Sequence, residues 1–350
     1  MLSVIDPMTS TQTADLSFMD SLRKGDFSRA VLRAALLVRD GGQQELFALA
    51  RQRRTEFFPA EEVEARSVVE VSNVCQQGCH YCSMAKGSGI KRYVMKPEAV
   101  VEMADFLYQR GRRVMLLQSG ENQSKAWIEA CTKIVSEMKN NHPDQELILC
   151  LGNLSEEQYV RLKNAGADRY ILKFESSVKR LYEMWKPTDT MEERLRCLRM
   201  LVDIGFKTGS GNMVGMPGQT IDDIIDDLIC MGEYDLTMNS CTVFIPGEAC
   251  GYRDEPIGDV DYAFNMMALM RIMFPHRLMP TTSCLERCRP GGQFIGLMAG
   301  ANTVTIHDGT PENYKNMFPI YSTKRFAPGN DHMLDAVANA RMTISTHPLQ

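Results

Sequence analysis

Eight short apolar runs, each followed by a longer amphipathic segment, limit this chain more than any other feature. The runs are SVVEVS (67–72), RVMLLQS (113–119), ELILCLG (146–152), RYILKFE (169–175), KTGSGNMVG (207–215), NSCTVFIP (239–246), RLMPTTS (277–283) and NTVTIH (302–307). Between them lie segments such as PEAVVEMADFLYQR, SEEQYVRLKNAG, ERLRCLRMLVDIG and DDIIDDLICMG, whose apolar positions recur at helical spacing. Every connection is long enough for a helix, so consecutive strands pair in parallel and wind the same way round. The predicted fold class is α/β, a (β/α)8 TIM-type barrel, in which functional groups gather at the C-terminal ends of the strands. Strand 1 is expected over 68–71. Ser155 followed by Glu157 and Gln158 opens a helix, and Gly166, Gly205 and Gly232 fall where helices should stop.

A chain of 350 residues accommodates one such barrel with terminal additions. Residues 1–15 are polar and aperiodic, and are expected to form a disordered leader. Leu32, Ala35, Leu36 and Val38, then Leu46, Phe47, Leu49 and Ala50, predict two or three helices beside the barrel within 16–66. The barrel is expected over 67–326, and 327–350 reads as an extension with one short helix and a loose tail. A net charge of −5 with no basic tract argues against a nucleic-acid or membrane-surface binder. No apolar stretch approaches the ~18–20 residues of a membrane span. Eleven cysteines fall well below the roughly 8–10% of a disulfide scaffold, and no secretory leader opens the chain. A reducing cytoplasm is expected, with thiols used as ligands or core filler.

The stretch EVSNVCQQGCHYCSMAKGSG (70–89) carries Cys75, Cys79 and Cys82 in CxxxCxxC spacing, directly after the first β-branched run. Cysteine is the soft ligand that iron–sulfur clusters and zinc both accept. A closed structural zinc site needs four ligands, however, and no second CxxC or HxxxH follows. Three thiolates on one loop suit three corners of a [4Fe–4S] cubane, leaving one iron open for a substrate group. The zinc alternative requires completion by His80 or a distant cysteine.

With the aromatic Tyr81 before its last cysteine, this loop resembles the cluster loop of the radical S-adenosylmethionine (SAM) enzymes. LQSGE (117–121), AGADRYILKFES (165–176), TGSGNMVGMPGQT (208–220), FIP (244–246), PTT (280–282) and AGAN (299–302) stand in the order found in the biotin synthase, HydE and methylornithine synthase (PylB) branch. The resemblance spans about 18–326 and is greatest to the HydE family of [FeFe]-hydrogenase maturases. It implies a [4Fe–4S] cluster and SAM as cofactors, with an electron from the cluster releasing methionine and a 5′-deoxyadenosyl radical. It also implies an electron donor such as ferredoxin or flavodoxin and, on the maturase reading, a partner radical SAM protein. Ser119, Gly120 and Glu121 match the family motif that accepts hydrogen bonds from the SAM amino group. Glu175 matches the carboxylate that takes the ribose hydroxyls, and Arg194 the arginine that pairs with the SAM carboxylate. Gly211, Met213 and Gly215 match the adenine-binding stretch, where glycine admits close backbone approach and methionine covers the ring. The bland alternatives are surface or cap acids for Glu121 and Glu175, a solvated helix arginine for Arg194, and a plain strand-to-helix turn for the glycines.

Cys131, Cys197 and Cys230 lie in amphipathic helices and read as core filler. Cys150, Cys241, Cys250, Cys284 and Cys288 fall at or after strand ends, on the active-site face. An auxiliary iron–sulfur cluster on Cys241, Cys250, Cys284 and Cys288 is the expectation this raises. Within the superfamily such a cluster can donate sulfur, so the leading reaction is sulfur insertion of lipoyl-synthase type on a small-molecule or acyl-carrier-bound substrate. Biotin synthase's auxiliary cysteine beside the strand 5 glycines is replaced here by Gly209. Lys173 and Phe174 stand where the HydE family carries arginine and histidine, and CSMAKGS replaces its CGLRR-type run. Arg287 and Arg289 receive a carboxylate, complete the cluster, or are solvated loop arginines. The competing readings are a HydE-type maturase or PylB-like mutase with structural extra cysteines, and a non-catalytic cluster carrier.

Overall fold

The β-branched runs become strands, and the amphipathic segments become the helices that cover their outer face. The computed structural model describes residues 17–314, 317–320 and 327–350; the leader expected over 1–15 lies outside them. In chain order the strands are β1 (Glu62–Ser72), β2 (Val114–Ser119), β3 (Glu146–Cys150), β4 (Arg169–Ile171), β5 (Lys207–Val214), β6 (Met238–Val243), β7 (Pro280–Thr281), β8 (Thr303–Ile306) and β9 (Thr343–Ile344). The helices are α1 (Ser17–Arg23), α2 (Arg29–Leu37), α3 (Asp40–Thr55), α4 (Pro97–Gln109), α5 (Lys125–Asn141), α6 (Glu156–Asn164), α7 (Lys179–Trp185), α8 (Met191–Asp203), α9 (Ile221–Gly232), α10 (Val260–Met273), α11 (Ser283–Cys288), α12 (Gly292–Met298) and α13 (Asn330–Asn339).

Strands β1 to β8 pair in parallel in the spatial order β6-β5-β4-β3-β2-β1-β8-β7, which is the expected barrel. Its seam, between β6 and β7, is joined at the floor. There Met238 bridges Leu278, Asn239 donates its N–H to the Leu278 carbonyl at 2.9 Å, and Leu278 donates to Thr237 at 2.8 Å. The three N-terminal helices sit against the outer layer, with Phe47 of α3 edge-on to Phe264 of α10. Ser155 forms a capping box with Gln158, and Gly166 (φ 110°) and Gly205 (φ 88°) take the left-handed geometry of a helix stop. Gly232 instead stays inside α9 as its last residue.

Two boundaries differ from expectation. Strand β1 starts at Glu62, so the barrel begins inside the segment assigned to the N-terminal helices. Its lower end projects past its neighbours, since pairing with β2 begins at Arg66 and pairing with β8 at Glu64. An unpaired strand end recruits a partner, and the C-terminal tail supplies it. Thr343 and Ile344 of β9 pair with Glu62 and Val63, so the tail is docked rather than loose. Leu349, 6% exposed, then packs with Phe58, Met238 and Leu278 under the barrel.

Strand β1 alternates. Val63, Ala65, Val69 and Val71 belong to the main core, while Val68 meets Val114, Leu116 and Ile148 in a separate interior cluster. Alternation puts Glu64, Arg66 and Glu70 on the face of Val68, so charge lines the barrel interior. Above the floor, Arg169 grips Glu64 through two bonds of 2.8 and 3.0 Å, and Arg66 Nε adds a third at 2.7 Å. Glu146 joins through Arg169 and Lys207.

Candidate active site

The cluster loop leaves β1 at the mouth and is fastened at its base by two side chains. Asn73 donates to the carbonyls of Lys91 (2.8 Å) and Met317 (2.7 Å) and accepts from Tyr93 N–H. Arg92 donates to the carbonyls of Asn73, Met84 and Ala85. Further along, His80 N–H reaches the Trp185 carbonyl and Gly78 N–H the Thr188 hydroxyl, so the loop leans on α7 and the turn after it. Cys75 and Cys79 line the central cavity, together with Tyr81. Cys82 takes the Met84 N–H on its sulfur at 3.4 Å. Burial pushes the Cys79 and Cys82 thiols up; Lys186 and Arg194 pull Cys79 back, while each thiol feels its loop neighbours. Among the described residues no three metal-binding side chains converge on a single point, as one zinc ion would require. A cubane takes each thiolate on a different iron, which fits three spaced thiols on one loop.

The cavity, about 360 Å³, is lined by both the cluster loop and the strand ends. Ser119 at the end of β2, with Gly120 and Glu121 after it, lies in the cavity wall, as do Glu175, Met213 and Arg194. Glu121 is already committed to the protein: its carboxylate accepts from Gln77, from Asn153 N–H at 2.9 Å and from Arg194 at 3.2 Å. Arg194 also donates to Tyr182 (3.0 Å) and Asp189 (3.1 Å), so it is no solvated helix arginine. Lys186, which sequence reasoning missed, completes this buried group by donating to Tyr182 (2.9 Å) and Asp189 (3.2 Å), and it too lines the cavity.

Glu175 sits just past β4 with φ +65°, a conformation few non-glycine residues adopt. A parallel bridge to Asn212 holds it, and Lys173 meets its carboxylate at 2.8 Å while donating to Thr242 at 2.8 Å. Behind it, Asp227 of α9 accepts from Ser176, Ser177 and Asn212, clamping the ends of β4 and β5 together. Of the expected adenine stretch, Met213 faces the cavity. Gly211 and Gly215 are required by backbone packing, because a Cβ at Gly211 would lie 1.9 Å from the Ser240 carbonyl, and one at Gly215 2.3 Å from Gly258.

The floor of the cavity was not anticipated. Arg66, 1% exposed, lines it, and its NH2 has no hydrogen-bond partner among the described residues. Thr305 of β8 is its register partner, and Gln118, Lys173, Ser240, Thr282, Ser283 and His307 are further polar residues of the cavity lining. The signal was present in the VEARSVVE run, where alternation brings Glu64, Arg66 and Glu70 onto an inward face that barrel packing normally reserves for apolar groups.

The four cysteines expected to share an auxiliary cluster divide into two places. Near the β6–β7 seam Cys284 lies within electrostatic reach of both Cys241 and Cys288, and it lines the cavity with its sulfur 3.0 Å from the Thr282 hydroxyl. Cys250 folds back onto the radical loop, donating to the Gly247 carbonyl at 3.1 Å within reach of Cys82. Ser83 accepts from Ala249 N–H, and the Tyr252 and His80 rings meet edge-on, which explains the displacement. Cys150 also lines the cavity, its thiol pushed up to about 11 chiefly by burial. Cys131, Cys197 and Cys230 are buried in helices, as core filler should be. Arg289 is tied to Asp261 by bonds of 2.9 and 2.8 Å rather than facing the cavity.

Residues 69–229 match the model of the Radical SAM superfamily. The "[FeFe] hydrogenase maturase subunit HydE" of Thermotoga maritima is 37% identical over 308 residues, covering 87% of this chain and 87% of that protein. A biotin synthase of Aquifex aeolicus is 27% identical over 235 residues, 66% of this chain and 70% of the relative. Among solved structures, methylornithine synthase (PylB) superposes with a TM-score of 0.82 at 20% identity, covering 94% of this chain and 97% of the other. The maturase HydG of Carboxydothermus hydrogenoformans gives 0.79 at 17% identity, covering 94% and 78%. At these identities the structural matches speak for the fold.

Proposed function

The chain belongs to the radical SAM superfamily, in the branch of HydE, biotin synthase and PylB, and on that premise we propose that it is a HydE-type enzyme acting on a small anionic substrate. Its cofactors are a [4Fe–4S] cluster and SAM. Cys75, Cys79 and Cys82 would hold the cluster, whose reduced form, when SAM is bound, supplies the electron that yields methionine and a 5′-deoxyadenosyl radical. Glu175 would take the ribose hydroxyls, displacing Lys173 from one oxygen. Glu121, spent on Arg194 and Gln77, would shape the amino-acid pocket and leave hydrogen bonding to main-chain carbonyls of 119–121. Lys186 and Arg194 supply the positive field that a SAM carboxylate requires. No described helix is long and apolar enough to cross a membrane; a reducing cytoplasm and a small electron-transfer protein as donor agree with the oxygen-sensitive ligand set.

One observation carries the substrate class. A guanidinium buried at the cavity floor, with an unpartnered NH2, is costly unless an anion or polar group meets it. Glu64 already holds the Arg66 Nε at 2.7 Å, so it is the NH2 edge that remains for an anionic or polar group of the substrate, which an unactivated acyl chain does not supply. The test is replacement of a HydE protein in cell-free [FeFe]-hydrogenase maturation, scored by recovered hydrogenase activity. Recovery above the HydE-free control supports the reading; none, in a preparation that cleaves SAM, opposes it.

Sulfur insertion stands as a second reading because Cys241, Cys284 and Cys288 gather at the seam, with Cys284 facing the cavity. It requires a second cluster. Iron in the anaerobically reconstituted protein decides: about eight atoms per chain, falling to about four when Cys284 and Cys288 are replaced together, favours it. About four in the native protein removes it.

A further inference from the structure

On the wall of the cavity formed by β7, β8 and β1, three polar side chains from adjacent strands touch in series. Ser283 is the first residue of α11, separated from the end of β7 by one residue; His307 follows β8; Glu70 lies near the upper end of β1. Ser283 Oγ is 3.1 Å from His307 Nε2, and His307 Nδ1 is 3.1 Å from Glu70 Oε1. Ser283 and His307 both line the cavity, whereas Glu70 is buried behind them. We infer that Ser283, His307 and Glu70 form a proton relay whose hydroxyl end faces the substrate and removes a proton from an O–H, N–H or S–H group of it.

The order of hydrogen bonds sets the roles. A carboxylate accepts the Nδ1 proton, so Nε2 carries the lone pair and accepts from the serine hydroxyl. The serine oxygen keeps lone pairs for a group in the cavity. When that oxygen takes the substrate proton, its own proton passes to Nε2, giving a substrate anion, an intact serine and an imidazolium held against Glu70. No electron moves in the step, and no co-reactant is needed. Burial lowers the imidazole to about 4, against the pull of Asp308, so the ring starts neutral, as a base must. Asp308 itself is bound by Arg112 at 3.1 Å.

The surroundings argue against accident. Burying a series of polar groups on a barrel wall costs stability unless all are paired, and this series is built rigidly. Gln293 of α12 staples β7 to β8 by donating to the Thr281 and Thr305 carbonyls, and Glu286 accepts from Gly291 and Gln293 N–H to fix the turn between α11 and α12. Thr310 and Tyr93 engage the Glu70 backbone from two sides. Among the described cavity residues, Glu121 and Glu175 are each bound to a cation, which leaves His307 as the neutral base. The two halves of the cavity thus divide the work, with the residues assigned to SAM on one side and an acid–base unit on the other.

The test uses neither SAM nor substrate, so it stands apart from the reading of the reaction. The purified native chain is treated with diisopropyl fluorophosphate, and modification at Ser283 is timed by peptide mass spectrometry. A hydroxyl able to pass its proton to His307 is phosphorylated, and His307→Gln slows this by about 100-fold or more. In parallel, nitrogen NMR of 15N-histidine protein, assigned with His307→Gln, should show the neutral Nδ1–H tautomer, shifted in Glu70→Gln. Matching far-ultraviolet circular dichroism and urea-unfolding midpoints of His307→Gln and native protein verify the fold. Absent labelling in the native chain, equal rates in both proteins, or the Nε2–H tautomer overturns the relay.

Discussion

Glu175 pays for its position in backbone energy. A non-glycine residue at φ +65° costs on the order of 1–3 kcal/mol. Glu175→Gly should therefore unfold no earlier than the native chain in urea, yet bind SAM at least ~10-fold more weakly in equilibrium dialysis; unchanged affinity would remove its ribose role. Asp227 sets a second expectation. Burial raises its carboxyl to about 7 from an ordinary 3.8, against the hydrogen bonds from Ser177 and Asn212 that lower it. A native pKa above the unfolded one means that the folded state holds the proton more tightly. The associated stability is full below 3.8 and is lost as pH climbs to about 7, on the order of 4 kcal/mol. Asp227→Asn should abolish that loss, so its stability relative to native rises with pH across this window. A parallel pair of urea-stability curves would refute it. The family motif made Glu175 legible in sequence. Asp227 was legible only as an acid on the apolar face of DDIIDDLICMG, between Ile224 and Met231, one aspartate among four.

Elements were read more reliably than their contacts. Each of the eight apolar runs overlaps a barrel strand, because short apolar runs and long crossovers leave little freedom in topology. The docking of β9 was not readable, since two residues carry no periodicity. Nor was the return of Cys250 to the radical loop, which depends on contacts with Ser83 and His80 from far along the chain. Two glycines test the packing of these elements. At Gly120 a Cβ would lie 2.5 Å from the Val74 carbonyl and 2.7 Å from Cys75 Cβ. Gly120→Ala should shift the cluster loop and lower iron uptake on reconstitution, measured against the unfolding midpoint to separate loop from barrel. At Gly211 the obstacle is the β6 backbone itself, so Gly211→Ala should lower unfolding free energy by ~3 kcal/mol in urea titrations. Replacing Cys79 by alanine should abolish 5′-deoxyadenosine formation while far-ultraviolet circular dichroism stays native, since the ligand sits on a loop.

At the scale of the whole molecule, the floor and the mouth are the two ends of one strand. The Leu349 carbonyl accepts from Arg169 at 3.0 Å, and its N–H donates to Glu64 at 2.9 Å, so the tail completes the ionic layer beneath the cavity. Truncation after Ile344 should cost about 1–3 kcal/mol through these unmade charged bonds, read as a lower thermal midpoint; an unchanged midpoint would show that water replaces them at no cost. The same strand imposes a timetable. β1 leaves the ribosome early, but its neighbours β8 and β9 are among the last segments to follow, and neither side of it is complete until they arrive. The loop that β1 carries is thus anchored only after the barrel has been translated. An iron–sulfur carrier that delivers to this protein therefore has a finished polypeptide as its customer, never a nascent one.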